Sequence, residues 1–170
     1  MKYKKLLAIA IAALLVLCLA GCDSTPSVGE DDTNKAPVDS ATTNDGVVAE
    51  EGVLGDYYVK ILNAEKVKTA DGKDCLRVYF EFTNNSESDT SFFLATSLRA
   101  FQNGIEASTC FIGGENDIPE DDNYMKNIKP GIMIVVTQAF ECNYDSPVQV
   151  EAAELFTLPN APKLAKTFTF

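Results

Sequence analysis

The stretch Leu76-Arg77-Val78-Tyr79-Phe80-Glu81-Phe82, residues 76–82, alternates apolar and polar side chains more regularly than any other part of the chain. Successive side chains of a β-strand point to opposite faces, so this pattern predicts a strand with one core face and one wetter face. The turn-forming residues Asn84-Asn85-Ser86 follow and end the strand. An antiparallel, half-buried sheet is therefore the starting point for the fold.

Similar patterns lie on both sides of this strand. Tyr57, Val59 and Ile61 share one face of a strand predicted over residues 56–66. The pair Asn103-Gly104 is the strongest hairpin signal in the chain. It would join residues 98–101 to a returning strand over 105–111. The other predicted elements are a buried stretch at Phe92-Phe93-Leu94, a long acidic loop at 113–129, and strands at 132–142, 148–158 and 164–170.

These short strands predict one all-β domain over residues 53–170. About seven strands separated by turn residues favour an antiparallel β-sandwich, in which each of two sheets buries one face. A barrel is the structural alternative. Residues 151–156 could also form a helical turn, because Ala, Glu and Leu favour helices, although the flanking valines favour a strand.

The N-terminus has the layout of a bacterial secretion signal over residues 1–21. Lysines at positions 2, 4 and 5 precede an apolar run from Leu6 to Leu19, which is too short to span a bilayer. The sequence Leu19-Ala20-Gly21-Cys22 resembles the lipobox of bacterial lipoproteins. This resemblance implies cleavage before Cys22, acylation of its sulfur, and a lipid anchor at the cell membrane on the extracytoplasmic face.

Residues 22–52 contain one lysine, eight acidic residues and few large apolar side chains. Such a segment buries too little apolar area to offset the entropy of ordering, so a disordered acidic tether is predicted. The whole chain has a formal net charge of −11. This charge repels phosphate backbones, so we expect no nucleic-acid partner, and contact with the membrane through the lipid anchor only.

Four segments together resemble an uncharacterised domain family of Gram-positive lipoproteins. They are residues 76–86, Phe101-Gln102-Asn103-Gly104, residues 126–131 and Glu154-Leu155-Phe156. The resemblance covers roughly residues 54–170 and implies an immunoglobulin-like sandwich. The matching motifs are structural and bring no activity or catalytic residues with them.

The chain contains no histidine. This absence excludes a Ser-His-Asp or Cys-His centre and removes the commonest ligand of catalytic zinc. Gly113-Gly114 is followed by acids and lacks the lysine of a phosphate-binding loop. We therefore expect no enzyme activity, no catalytic residues and no cofactor.

Three cysteines, Cys75, Cys110 and Cys142, remain in the exported domain. One disulfide can form among them, and the sequence leaves all three pairings open. Three unpaired thiols are the alternative. A metal site built from all three is disfavoured, because no Cys-x-x-Cys spacing arranges them.

The acidic loop offers oxygen ligands for calcium but lacks EF-hand order, so we expect a solvated loop and no metal. The candidate ligands are Glu115, Asp117, Glu120, Asp121 and Asp122. Tyr79, on the wetter face of its strand, either marks a binding face or pairs with a cross-strand neighbour, and the second interpretation is favoured.

These observations predict a lipid-anchored envelope protein that acts as a non-catalytic interaction module. Its partner would be an envelope protein or a wall component, bound at residues that the sequence does not identify. The alternative is a solute-binding lipoprotein that delivers a small ligand or cation to a membrane partner. A domain of this size is small for the usual two-lobed receptor.

Overall fold

The computed structural model describes residues 48–156 and 161–170. The predicted signal peptide, with Leu19, Ala20, Gly21 and Cys22, lies outside these ranges, as does the predicted tether up to residue 47. The described part contains no helix long and apolar enough to cross a membrane. The predicted domain limits stay predictions, although the first strand already begins at Glu51.

Nine strands make up most of the described part, and every pairing between them is antiparallel. One sheet has the order β1-β2-β3-β7-β6 and the other has the order β5-β4-β8-β9. The strands are β1 (Glu51–Leu54), β2 (Tyr57–Lys68), β3 (Asp74–Asn84), β4 (Thr96–Gln102), β5 (Ile105–Glu106), β6 (Thr109–Cys110), β7 (Met133–Glu141), β8 (Val148–Glu154) and β9 (Lys163–Phe168).

The core lies between the two sheets. The apolar face of β3 is fully buried there, as its alternation predicts, and Phe80 and Phe82 pack against Phe92 with ring centroids 5.4 and 5.3 Å apart. The second sheet contributes Val150 and Leu164, both fully buried. The prediction of an all-β antiparallel sandwich is confirmed; the predicted seven strands are approximate, because β5 and β6 are only two residues long.

The Asn103-Gly104 hairpin is present. Both residues have left-handed backbone conformations, with φ of 53° and 78°, as two-residue hairpin turns require. The returning segment is not the single strand that the sequence predicts. β5 stays beside β4, whereas β6 pairs with β7 in the other sheet, so the chain changes sheets between them.

The prediction that Phe92, Phe93 and Leu94 are all buried is wrong. These residues form one helical turn, α1 (Phe92–Ala95), which Ser91 caps by accepting a hydrogen bond from the Leu94 N–H at 3.3 Å. A helical turn directs successive side chains around its axis. Phe92 and Ala95 therefore enter the core, while Phe93 and Leu94 are exposed.

The structure forms a strand, and not a helix, over the first part of residues 151–156, which belongs to β8. β8 ends at Glu154, which is earlier than the predicted Leu158, and residues 157–160 lie outside the described ranges. β9 pairs along β8 from Lys163 and completes the second sheet.

Candidate binding site on the first sheet

The outer face of the first sheet is divided into a covered half and an open half. The wetter face predicted for β3 is wrong for its first half, where Cys75 and Arg77 are buried. The long loop between β6 and β7 causes this burial. Two short 3₁₀ turns of that loop, Gly114–Asn116 and Asp121–Met125, lie in the segment that contacts the sheet.

Arg77 fastens the loop to the sheet. Its Nη1 donates to Oε1 of Glu65 on β2 at 2.8 Å, and its Nη2 donates to Oδ2 of Asp121 at 2.8 Å. Nη2 also donates to the backbone carbonyl of Asn116. One buried guanidinium therefore holds both 3₁₀ turns against the strands.

Further polar contacts fix the second 3₁₀ turn. Asp121 also accepts a hydrogen bond from the buried Thr137 hydroxyl of β7. The Asn123 amide donates to the Val135 carbonyl at 2.9 Å, which satisfies part of the open edge of β7. Asp121 thus serves the loop and is not free to hold a metal ion.

A disulfide joins Cys75 on β3 to Cys110 on β6. Around it Ile112 and Ala139 form a second, smaller apolar cluster on the outer face of the sheet.

The remaining cysteine of the domain, Cys142, is unpaired and half-buried. Burial, assisted by nearby Asp74, raises the pKa of its thiol to about 11, so it stays protonated at neutral pH.

The loop and β7 enclose a cleft of about 320 Å³, which we call the apolar cleft. Its lining includes Phe111, Ile112, Tyr124, Met125 and Asp122. Two of these side chains are unusually open to solvent: Phe111 is 87% exposed and Met125 is 70% exposed.

Aromatic packing continues from the cleft to α1. The Tyr124 ring lies 5.6 Å from the Phe92 ring and 5.8 Å from the exposed Phe93 ring. Burial of the Tyr124 phenol raises its pKa. Tyr124 therefore connects the core to the exposed apolar side chains on this side of the domain.

A second groove, of about 540 Å³, opens on the other side of the loop. Lys66 lies there with its Nζ 4.7 Å from the Tyr144 ring centroid and 5.1 Å from that of Phe170. The Tyr144 hydroxyl donates to the carbonyls of Val67 and Cys75 at 3.0 and 2.8 Å. Acidic and basic side chains both line this groove, so it has no dominant charge.

The candidate calcium ligands are dispersed. Glu115 borders the second groove, whereas Asp121 and Asp122 border the apolar cleft. Across the described ranges, no three histidine, cysteine, aspartate or glutamate side chains come together closely enough to hold a metal ion.

Tyr79 donates its hydroxyl hydrogen bond to Oε1 of Glu65 at 2.7 Å, across neighbouring strands. This is the cross-strand pairing favoured by the sequence analysis. The apolar cleft itself does not follow from the sequence. Its two exposed apolar residues, Phe111 and Met125, are isolated in sequence on either side of the acidic residues 115–122, and no periodic pattern there indicates a binding surface.

Comparison with known proteins gives a family and several related folds. The family model described as a domain of unknown function (DUF5067) matches residues 32–154. No curated protein matches the chain.

Two of the similar solved structures are described as putative lipoproteins. The one from Staphylococcus aureus has a TM-score of 0.55 and 10% identity, over 72% of this chain and 90% of that one. The one from Bacillus subtilis has a TM-score of 0.53 and 12% identity, over 71% of this chain and 38% of that one. An uncharacterised β-sandwich protein from Clostridium difficile has a TM-score of 0.50 and 15% identity, over 79% of this chain and all of that one. At such identities the likeness shows the fold alone.

Proposed function

This chain belongs to the DUF5067 family, which confirms the resemblance noted in the sequence, and from that premise we propose that it is a lipid-anchored binding module at the outer face of the cell membrane. The Leu19-Ala20-Gly21-Cys22 sequence supports the anchor. The fold supports the binding role, because sandwiches of this kind present sheet faces and loops to partners.

The apolar cleft is the observation that carries the binding role. Phe111 and Met125 expose most of their surface beside a well-packed cluster. Single exposed apolar residues are ordinary, but neighbours lining one cleft are typical of an interaction surface. A partner that covered both side chains would remove their apolar area from water.

A non-catalytic role is supported by the residues available for chemistry. The chain lacks histidine, and the thiol of Cys142 has a raised pKa. The buried Arg77 is occupied by structural contacts to Glu65 and Asp121. The apolar cleft itself is lined by apolar side chains, carboxylates, and the neutral polar side chains of Thr137 and Gln138.

Delivery of a small solute is the second candidate function. The groove beside Lys66 favours it, because a volume of about 540 Å³ falls in the range of ligand pockets. The groove is open to solvent and its charges are mixed, so the apolar cleft supports the interaction module better.

Site-specific photocrosslinking of the mature, anchored protein in its own cells tests the proposal. A photoreactive amino acid replaces Phe111 in one strain and Phe156 in a control strain. Phe156 is 89% exposed and does not line the cleft. We expect the Phe111 probe to capture one envelope protein or wall component, identified by mass spectrometry, and the Phe156 probe to miss it.

Equal capture from both positions, or no capture from Phe111, would contradict the interaction module. Co-purification of a small molecule that a Lys66→Ala variant no longer retains would favour solute delivery instead.

A further inference from the structure

We propose, building on the proposed function, that the apolar cleft binds a basic and apolar peptide segment of a partner protein, because the exposed Phe111 and Met125 line it together with Asp122, whose carboxylate forms no ion pair within the described ranges. The apolar side chains of such a segment would cover the cleft, and a lysine or arginine would meet the carboxylate.

The charges around the cleft favour a cationic partner. Arg77 neutralises Asp121 by a direct ion pair. Asp122 takes part in none of the ion pairs found within the described ranges, and the same holds for Asp117 and Glu120 of the same loop. The basic residue that follows, Lys126, donates to the Asn123 amide oxygen at 3.0 Å. The loop therefore keeps a net negative charge beside the apolar side chains.

The apolar part of the cleft suits the long side chains of basic residues. Lysine and arginine carry apolar stems that pack on apolar surfaces while the charged head stays near water. The exposed ring of Phe111 offers a face to a cation, and the Met125 thioether adapts to irregular stems. The two features that the cleft combines, apolar surface and free carboxylate, match the two parts of such a side chain.

Neither the predicted tether nor a second copy of the domain is a suitable occupant. The tether predicted over residues 22–52 has one lysine and eight acidic residues, and its charge would be repelled by the loop. A second copy of the domain is also unsuitable, because residues 53–170 have 10 basic and 17 acidic residues. An anionic lipid surface is disfavoured for the same reason.

The test uses the mature acylated protein in nanodiscs of zwitterionic lipid. The probe is a fluorescent peptide of alternating lysine and leucine, and its binding is followed by fluorescence anisotropy, with empty nanodiscs as the blank. One comparison peptide has glutamate in place of lysine, and another has serine in place of leucine. We expect the lysine-leucine peptide to bind at least about tenfold more tightly than either analogue.

Variants place the binding at the cleft. Phe111→Ala and Asp122→Asn should each weaken binding of the lysine-leucine peptide about fivefold or more. The matched controls Phe156→Ala and Asp145→Asn change an exposed ring and an exposed carboxylate away from the cleft, and they should leave binding unchanged. Both cleft positions are accessible enough that the variants should keep the thermal midpoint of the parent protein, which is checked in parallel.

Several results would overturn this inference. They are equal binding of the glutamate peptide, unchanged binding in both cleft variants, concentration-dependent dimerisation that Phe111→Ala abolishes, and cleft-dependent binding to anionic vesicles without peptide binding. A partner that crosslinks at Phe111 in cells through an acidic or uncharged segment would overturn this inference and leave the proposed function standing.

Discussion

Arg77 brings a charge into the covered half of the first sheet, where its side chain is 3% exposed. Moving a guanidinium out of water is costly, and this cost is offset only when the charge is paired and hydrogen-bonded. Glu65 and Asp121 provide these contacts, each at 2.8 Å. Removing the arginine would leave Asp121 beside the sheet without its counter-charge.

We expect Arg77→Ala to lower the free energy of unfolding by about 3 kcal/mol, measured by urea denaturation. The control is Arg99→Ala, because Arg99 pairs with Glu106 where both side chains are about half exposed. Solvent screens such pairs, so no clear change in the urea midpoint is expected there. Equal effects of the two variants would show that burial does not govern the contribution of Arg77.

Ionisation of Glu65 makes the free energy of unfolding depend on pH. Its carboxylate accepts hydrogen bonds from Tyr79 and Arg77, which hold the pKa of Glu65 below its ordinary value of 4.5. A lowered folded-state pKa means that folding favours the ionised carboxylate. This stabilisation is complete when the pH is above the ordinary pKa of Glu65, and it is lost as the pH falls through the lowered pKa of the folded state.

The parent protein should therefore be more stable than Glu65→Gln at about pH 7, and this difference should shrink below about pH 4.5. Urea midpoints measured across that interval provide the check. Glu87→Gln is the control, because Glu87 forms no ion pair within the described ranges. A difference between the parent and Glu65→Gln that is unchanged at about pH 3 would contradict the linkage.

At the scale of elements, local patterns predict the strands well. The alternation in β3 identifies its core face, and Asn103-Gly104 identifies a hairpin, because both signals depend on neighbours in sequence. The sheet change between β5 and β6 is not local, since it depends on the open edge of β7. Burial of Arg77 likewise depends on a loop more than thirty residues away, with Asp121 at a separation of 44.

The same limit applies to the candidate site. Composition draws attention to the acidic loop, yet it cannot separate Asp121, which pairs with the buried Arg77, from Asp122, which lines the cleft without such an ion pair in the described ranges. Phe111 and Met125 belong to no common sequence pattern. They line one cleft because the disulfide holds Cys110, and Arg77 holds Asp121, against the same sheet. Their exposure is a property of the folded surface.

The disulfide is the element-scale contact that holds the start of this loop. Cys75 and Cys110 are separated by 35 residues, and closing a loop of that length restricts the unfolded chain by about 4 kcal/mol in the chain-entropy account. We expect the double variant Cys75→Ala, Cys110→Ala to lose up to about that amount in urea denaturation. Crosslinking from Phe111 should fall with it, because the anchored end of the loop is released.

Cys142→Ala is the control for this prediction, since Cys142 forms no disulfide. It should change stability much less than the double variant. Alkylation of the denatured, unreduced protein should label Cys142 and leave Cys75 and Cys110 unlabelled. Labelling of all three would contradict the pairing.

At the scale of the whole molecule, the chain enters the sandwich at an edge where both sheets are paired. The Glu50 carbonyl accepts from the Ile61 N–H in the first sheet, and the Ala49 carbonyl accepts from the Ala165 N–H in the second, both at 2.9 Å. Lys166 adds an ion pair to Glu50 at 2.7 Å. This segment covers part of the β9 edge, which would otherwise be open to pairing with other chains.

The length of the predicted tether, which precedes this edge, determines how far from the membrane the apolar cleft can reach. A flexible coil of about 30 residues has a root-mean-square reach of roughly 30 Å. With a lipid at Cys22, the domain would explore a thin layer above the membrane. The effective concentration of the domain relative to membrane-bound partners would then be high, so a modest affinity would be enough for binding.

Anchoring at Cys22 can be tested by changing two cysteines of the predicted N-terminal region separately. The lipobox resemblance predicts that the mature chain begins at an acylated Cys22, whereas Cys18 is removed with the signal peptide. Mass spectrometry of the N-terminal peptide should find the acyl chains in the parent protein and in Cys18→Ala, and should find none in Cys22→Ala. Detergent phase partitioning should follow the acyl chains, because several of them on one residue hold a protein stably at a bilayer. An unmodified parent terminus, or a parent protein dissolved in the cytosol, would contradict the anchor and remove the reason for placing the apolar cleft near membrane-bound partners.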